Sequence, residues 1–289
     1  MFMDRFERVV VALAHTDTDA ALLRYAKMVS ALAPSAVFHF VHVGDTAALP
    51  DIEACVAANF GTGGNGYCHV APGHREDQLL HMSMEVVADL ILVGHQPSHS
   101  GRRSLARRLA MKAPCSIWLA PDGSPPEIRR ILAAVDFSHP SSNALVVATS
   151  IAERRGLSYC DALHVYFDAS IAGLEEYQVH VRGREQDAFA EFIEDLELHG
   201  VEVRPQFEES ASVPHAIARA VAAGGVDLVV MGTRGLSRAA SILLGSEAEQ
   251  TMIDSRVPLL VVKKRGERMG FLKLWLEHGL DSPGGAKFG

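Results

Sequence analysis

Cysteine is scarce in this chain. Its 289 residues include four, Cys55, Cys68, Cys115 and Cys160, spread far apart and without a CxxC pair. That argues against a disulfide framework and makes a reducing compartment the default expectation. Long apolar runs are missing too. No stretch approaches the roughly 18 consecutive apolar residues that a membrane-spanning helix needs. The first 14 residues carry Asp4 and Glu7 and only the short run Val9 to Ala14, a poor signal peptide and a better first strand. The expectation is a soluble, cytoplasmic protein. Excess positive charge is lacking as well: the net charge is −8 and the pI near 5.9. Neither a nucleic-acid backbone nor an anionic membrane is therefore expected as the main partner. No GxSxG, HExxH or Walker A motif occurs, and nothing points to a catalytic triad, so no catalytic residue is assigned.

What is present is ordinary globular composition, 48% hydrophobic and 21% charged, at a length that suits two domains. The chain also repeats itself. Arg8-Val9-Val10-Val11-Ala12-Leu13 returns as Arg130-Ile131-Leu132-Ala133-Ala134-Val135, and Val41-His42-Val43 as Leu163-His164-Val165. Asp89-Leu90-Ile91-Leu92-Val93-Gly94 returns as Asp227-Leu228-Val229-Val230-Met231-Gly232, and Pro114 to Trp118 as Pro258 to Val262. Val9 to Ile131 and His42 to His164 are both 122 positions apart, while Asp89 to Asp227 is 138 and Pro114 to Pro258 is 144. Four matches in one order indicate tandem domains, the second longer in two places. The seam, Ala120-Pro121-Asp122-Gly123-Ser124-Pro125-Pro126-Glu127, has linker composition. The expected division is 1–120, a linker at 121–127, 128–264, and a tail from 265.

Short apolar runs alternate with helical patterns. Ser138 to Pro140 supplies cap and first-turn chemistry for a helix over about Ser141–Arg155. Phe189, Phe192, Ile193 and Leu196 recur at helical spacing, with Gly200 as the stop, and Val213 to Ala223 reads as another helix. Strand–helix alternation predicts an α/β fold, two tandem doubly wound five-stranded parallel sheets. Ligands of such sheets sit at the carboxyl ends of strands where the strand order reverses.

One motif fits that place. Gly232-Thr233-Arg234-Gly235, nine residues, then Gly245-Ser246 follow directly on the apolar run Asp227 to Met231. Strand-end glycines allow φ > 0 and close backbone approach, and a helix starting near Gly245-Ser246 would aim its free N–H groups and positive dipole end at an anion. This spacing resembles the nucleotide motif of the universal stress protein family, Gly-x2-Gly-x9-Gly-Ser/Thr, and the likeness covers about residues 5–120 and 128–264. It implies the adenine nucleotide alpha hydrolase-like fold, a regulatory role in stress response, and ATP or a related adenine nucleotide, with Mg²⁺, as ligand. It also implies that Ala134 and Asp136 line the base and sugar pocket, Val165 contacts adenine, Met231 and Gly232 flank base and ribose, and Gly235, Gly245 and Ser246 hold the phosphates. Glu247 departs from the family, which has Val there, and its carboxylate would repel a triphosphate unless Mg²⁺ intervenes or the side chain turns away.

The first copy has lost the motif. Gly94 to Gly101 spans 7 positions where Gly232 to Gly245 spans 13, Pro97 replaces the second glycine, and Ala14 replaces the strand-end acid. No ordinary ATP site is expected there, and much of its second helix should be missing. Arg102, Arg103, Arg107, Arg108 and Lys112 read as a solvated helix face or, alternatively, an anion or acidic-partner surface. Gly61-Thr62-Gly63-Gly64-Asn65-Gly66 matches GxGxxG but reads as a loop, because a dinucleotide site needs a strand before and a helix after. Cys68, His69, His74, His81, His95 and His99 lack zinc-site spacing, so no metal site is assigned. In the tail, Phe271 to Leu276 suggests a short docked helix, and Ser282 to Gly289 a disordered end. The two final strands, Pro114–Leu119 and Pro258–Lys263, are expected to pair, as domains do in dimers of the family, and further homodimerisation fits the same scheme. A non-nucleotide interaction or lipid-carrier module on the same fold is the alternative function, and a slow ATPase the third.

Overall fold

The computed structural model describes residues 6–61, 65–95, 105–167, 175–233 and 246–263. In the first half, β1 (Arg8–Leu13), α1 (Asp19–Leu32), β2 (Val37–Val43), α2 (Leu49–Asn59), β3 (Gly66–Ala71), α3 (Arg75–Glu85), β4 (Leu90–His95), α4 (Leu105–Lys112) and β5 (Ser116–Pro121) follow in order. The second half runs β6 (Ile131–Val135), α5 (His139–Arg154), β7 (Tyr159–Tyr166), α6 (Glu175–Glu194), β8 (Glu202–Glu209), α7 (Val213–Gly224), β9 (Leu228–Gly232), α8 (Ser246–Asp254) and β10 (Leu259–Val262).

All ten strands form one sheet, in the order β3-β2-β1-β4-β5-β10-β9-β6-β7-β8. Each half is a parallel five-stranded sheet whose order reverses beside its first strand. The halves join where β5 meets β10 antiparallel, with Leu119 opposite Leu259, Trp118 opposite Leu260 and Ile117 opposite Val261. These six side chains are fully buried, so two strands that would be exposed edges close on one another. Lys263 adds a clasp: its N–H donates to Ser116 Oγ at 3.1 Å and its Nζ to the Ala113 carbonyl at 2.7 Å.

Burial on both faces explains why the strands read as near-continuous Val/Ile/Leu runs. One face packs under α1, α2, α5 and α6, the other under α3, α4, α7 and α8, and each of the two cores takes residues from both halves. The repeated aspartates before β4 and β9 have a common task. Asp89 Oδ2 accepts the N–H groups of Glu7 and Arg8, and Asp227 Oδ2 those of Arg129 and Arg130. Each satisfies backbone donors at the entry of the first strand of its half, where the neighbouring strand does not reach.

Helix ends differ slightly from expectation. α5 begins at His139 behind Ser138, whose Oγ accepts from the Ser141 N–H, with Pro140 in the first turn. α6 stops at Glu194, well before Gly200. Leu196 and Leu198 pack against the core from irregular chain, and His199 and Gly200, at φ +56 and +72, turn that chain into β8. α7 ends at Gly225 in the left-handed conformation. The segment Ala54–Phe60, which precedes the glycine-rich loop, lies mostly in α2, and the 11 residues of α2 against 20 in α6 account for much of the shorter first copy.

Candidate functional site

β6 and β9 are neighbours, so the strand end at Val135 and the one at Gly232 meet at the reversal point of the second half. Ala134 is the register partner of Met231. Ala134, Val165 and Met231 all lie on the α7/α8 face, and the two-residue period of a strand gives Asp136 the same side as Ala134. Four of the candidate residues thus converge on one crevice. Ser246 and Glu247 open α8, whose first turn carries N–H groups without intrahelical partners. Both are exposed. Gly235 and Gly245, like Pro97, Gly101, Arg102 and Arg103 of the first copy and the tail from 265, lie outside the described residues.

Asp136 is held as well as placed. Its Oδ1 accepts from the Ser138 N–H at 3.2 Å and from Ser138 Oγ at 2.5 Å, while its own N–H donates to Ser141 Oγ at 3.3 Å. Phe137, the residue after it, takes φ +62, a conformation uncommon in an aromatic residue. Its ring stacks on His164 with centroids 4.0 Å apart and planes 17° apart, and packs against Phe192. His164 donates its Nδ1–H to the Val135 carbonyl, 2.9 Å away, and its Nε2 lies 3.2 Å from Glu185. His164 is thus structural, and Phe137, which no motif flags, is the strut that fixes the turn carrying Asp136.

Gly232 has a reason other than the one its motif suggests. It is absent from the positive-φ glycines. A Cβ there would instead stand 2.9 Å from the carbonyl carbon and oxygen of Pro140. The glycine lets the first turn of α5 sit against the end of β9, which brings Asp136 and Met231 to the same crevice.

The first half solves the same turn differently. His15 occupies the position of Phe137, at φ +60, and its ring meets His42 edge-on at 5.2 Å. With Ala14 at the strand end, the acid comes from the helix: Asp19 accepts from the N–H groups of Ala14, His15 and Thr16 at 2.9, 2.7 and 3.4 Å. A cavity of about 450 Å³ lies at this crevice, lined by Asp19, Tyr25, Arg75, Gly94 and His95 among others. Burial pushes His95 below the usual histidine range, against the opposing pull of the Ile253 carbonyl and Asp122. The sequence reading missed this cavity because most of its lining, Asp19, Tyr25 and Arg75 included, lies outside the lost motif.

Among the described residues of the basic stretch, the cations pair internally. Arg107 pairs with Glu249 of α8 at 2.7 Å, and Arg108 and Lys112 both reach Glu76 at 2.5 Å. The four cysteines are free, and burial pushes the thiols of Cys115 and Cys160 up to about 12. Among the described residues no helix is long and apolar enough to cross a membrane.

Residues 127–263 match the model of the universal stress protein family. The second half of the chain is thus similar to that family. A curated universal stress protein of Thermus aquaticus, encoded 3′ of a sulfhydrylase, is 28% identical over 136 residues, 47% of this chain and 98% of the relative. Over its whole length the chain is similar in fold to a functionally unknown Pseudomonas aeruginosa protein (TM-score 0.70, 16% identity, 95% of this chain and 99% of the other). It is likewise similar to a universal stress protein of Archaeoglobus fulgidus (TM-score 0.63, 19% identity, 89% and 96%). The fold therefore extends across both halves, while the family match rests on the second, which carries the crevice with Asp136.

Proposed function

We propose that the second half binds ATP or a related adenine nucleotide and that the protein acts as a regulatory stress protein rather than as a catalyst. The carrying observation is the convergence of Ala134, Asp136, Val165 and Met231 on one face at the β6/β9 reversal, with α8 opening nearby. In this reading Ala134 and Val165 bracket the base, Met231 and Gly232 flank base and ribose, and Asp136 accepts from a ribose hydroxyl or the adenine amine. Gly235, Gly245 and Ser246 hold the phosphates by backbone N–H groups and the positive end of the α8 dipole. Glu247, exposed on the first turn, turns to solvent or meets the phosphates through Mg²⁺. Each half is a domain, and the site in the first half takes no ATP. Hydrolysis is slow at most, since no base or arginine finger is assigned for an in-line water.

A thermal-shift titration with ATP, AMP and buffer alone, with and without Mg²⁺, tests this. The melting temperature should rise with adenine nucleotide as binding to the folded state requires, and Gly235→Val should abolish the rise. No shift with any nucleotide, or an equal shift in Gly235→Val, overturns it and leaves a non-nucleotide role. Mass spectrometry of small molecules released from fresh protein would identify what the crevice carries.

A further inference from the structure

At the outer edge of the first half, two imidazoles meet on the sheet face that α3 shares. His39 of β2 is the register partner of Tyr67 of β3, and Val41 of His69. The period of two puts His39, Tyr67 and His69 on one side, opposite Cys68, which packs toward the other core. α3 crosses β1 and β2 and leaves the β3 end of this face open, so Tyr67 is 59% exposed and both histidines are half-buried. His39 stacks between Tyr67 (centroids 5.6 Å) and His69 (5.3 Å), and its Nδ1 lies 3.1 Å from His69 Nε2.

We propose that His39 Nδ1 and His69 Nε2 chelate a borderline divalent transition ion, Cu²⁺ more tightly than Zn²⁺, with water filling the remaining positions. Two nitrogens 3.1 Å apart, each about 2.0–2.1 Å from one ion, subtend about 100° at it. That lies between the square and the tetrahedral angle, so both ions fit without moving the strands, and imidazole suits both, with copper the stronger binder. In the metal-free state one ring donates to the other. The ion replaces that bridging proton, which the donor ring keeps on its other nitrogen, so a neutral pair binds without releasing a proton. Glu85, at the end of α3, is a nearby carboxylate whose charge both imidazoles feel, and it is also in ion contact with His81 at 3.6 Å. Arg8 opposes cation binding near His39, but lies within ion-pair distance of Glu7 and Asp89. Among the described residues no group of three potential ligands gathers, so the site is a two-point surface chelate with open positions. It is independent of the nucleotide reading.

The test uses the full chain with Cu²⁺ alone and Zn²⁺ alone. Isothermal titration should give one ion bound most tightly, and His39→Gln or His69→Gln should each weaken that binding by about tenfold or more, as loss of one arm of a chelate does. His74→Gln, on exposed His74, should leave it unchanged. Electron paramagnetic resonance at substoichiometric Cu²⁺ should show coupling to two imidazole nitrogens. Wild-type affinity in either pair variant, or a spectrum without two-nitrogen coupling, overturns the proposal. Should either substitution unfold the chain, the wild-type spectrum decides.

Discussion

The two crevices of this sheet are the same turn built with the acid in different places. In both, the residue two positions beyond the first strand takes φ near +60 and rests on a strand histidine, His15 on His42 and Phe137 on His164. In the first half the carboxylate of Asp19 reaches back from α1 and takes three backbone N–H groups. In the second, Ser141 Oγ takes the corresponding backbone donor, and Asp136, now on the strand end, accepts from Ser138. Moving the acid by five positions along the chain turns a structural plug into a group placed at the mouth of the crevice. The difference between the two halves thus lies in how each satisfies one set of backbone donors, as well as in their glycines.

The glycine at the end of the fourth strand should separate the halves most. Gly232→Ala forces a Cβ to 2.9 Å from the Pro140 backbone, and such overpacking costs about 2–3 kcal/mol. Gly94→Ala, at the matching place, meets nothing nearer than Asp122 Oδ1 at 3.9 Å, and should stay within about 0.5 kcal/mol of wild type. Denaturant midpoints of the two variants measure this, and equal losses would show that the close approach of α5 is not what fixes Gly232.

The acids come next. Asp19 is 3% exposed, so Asp19→Ala takes the acceptor from three backbone N–H groups of the turn and should cost about 2 kcal/mol. Asp136 is partly exposed and water can replace it at Ser138, so Asp136→Ala should cost about 1 kcal/mol or less. Its larger effect should be on the nucleotide-induced thermal shift, which Asp19→Ala leaves in place. Reversed stabilities in denaturant unfolding would break the contrast.

Much of this was legible in the sequence. Repeated apolar runs carry the strand order, because a doubly wound sheet allows few arrangements, and the shared histidines and aspartates mark equivalent turns. The strand-end placement of Asp136, Ala134 and Met231 was readable because apolar runs mark where strands stop. Phe137 and Asp19 were not. Their roles depend on a φ angle and on a side chain reaching back across a turn, neither of which has a residue pattern of its own. Of the two reasons the sequence offers for Gly232, the positive φ does not hold: the pattern shows that a glycine is required, not whether conformation or a neighbouring backbone requires it. His39 escaped for a similar cause, since its partner His69 stands on another strand, 30 residues away.

The smallest expected contrast lies in how each half ties down its outer helices. α7 packs on α8 through apolar residues, Ile217 and Met252 among them, whereas α3 is bound to α4 by the ion pairs of Glu76 with Arg108 and Lys112. Burial alone would raise the Glu76 carboxyl, but Lys112 and Arg108 outweigh it and hold it below the usual carboxylate range. A depressed folded value means that the unfolded chain binds the proton more readily, so the stabilisation is present at neutral pH and is lost as the pH falls through the folded value. With both cations partly exposed, solvent screening keeps the contribution small, and Glu76→Gln should cost about 1 kcal/mol at pH 7. That cost should shrink steadily as acid protonates the wild-type carboxylate, until the two proteins unfold alike. Ile217→Val, in the apolar cluster, should cost a similar amount at every pH at which the protein is folded. Parallel urea titrations from pH 7 downward would distinguish the two tethers, and a Glu76→Gln deficit that persists unchanged into acid would mean that shape, not charge, holds α3 to α4.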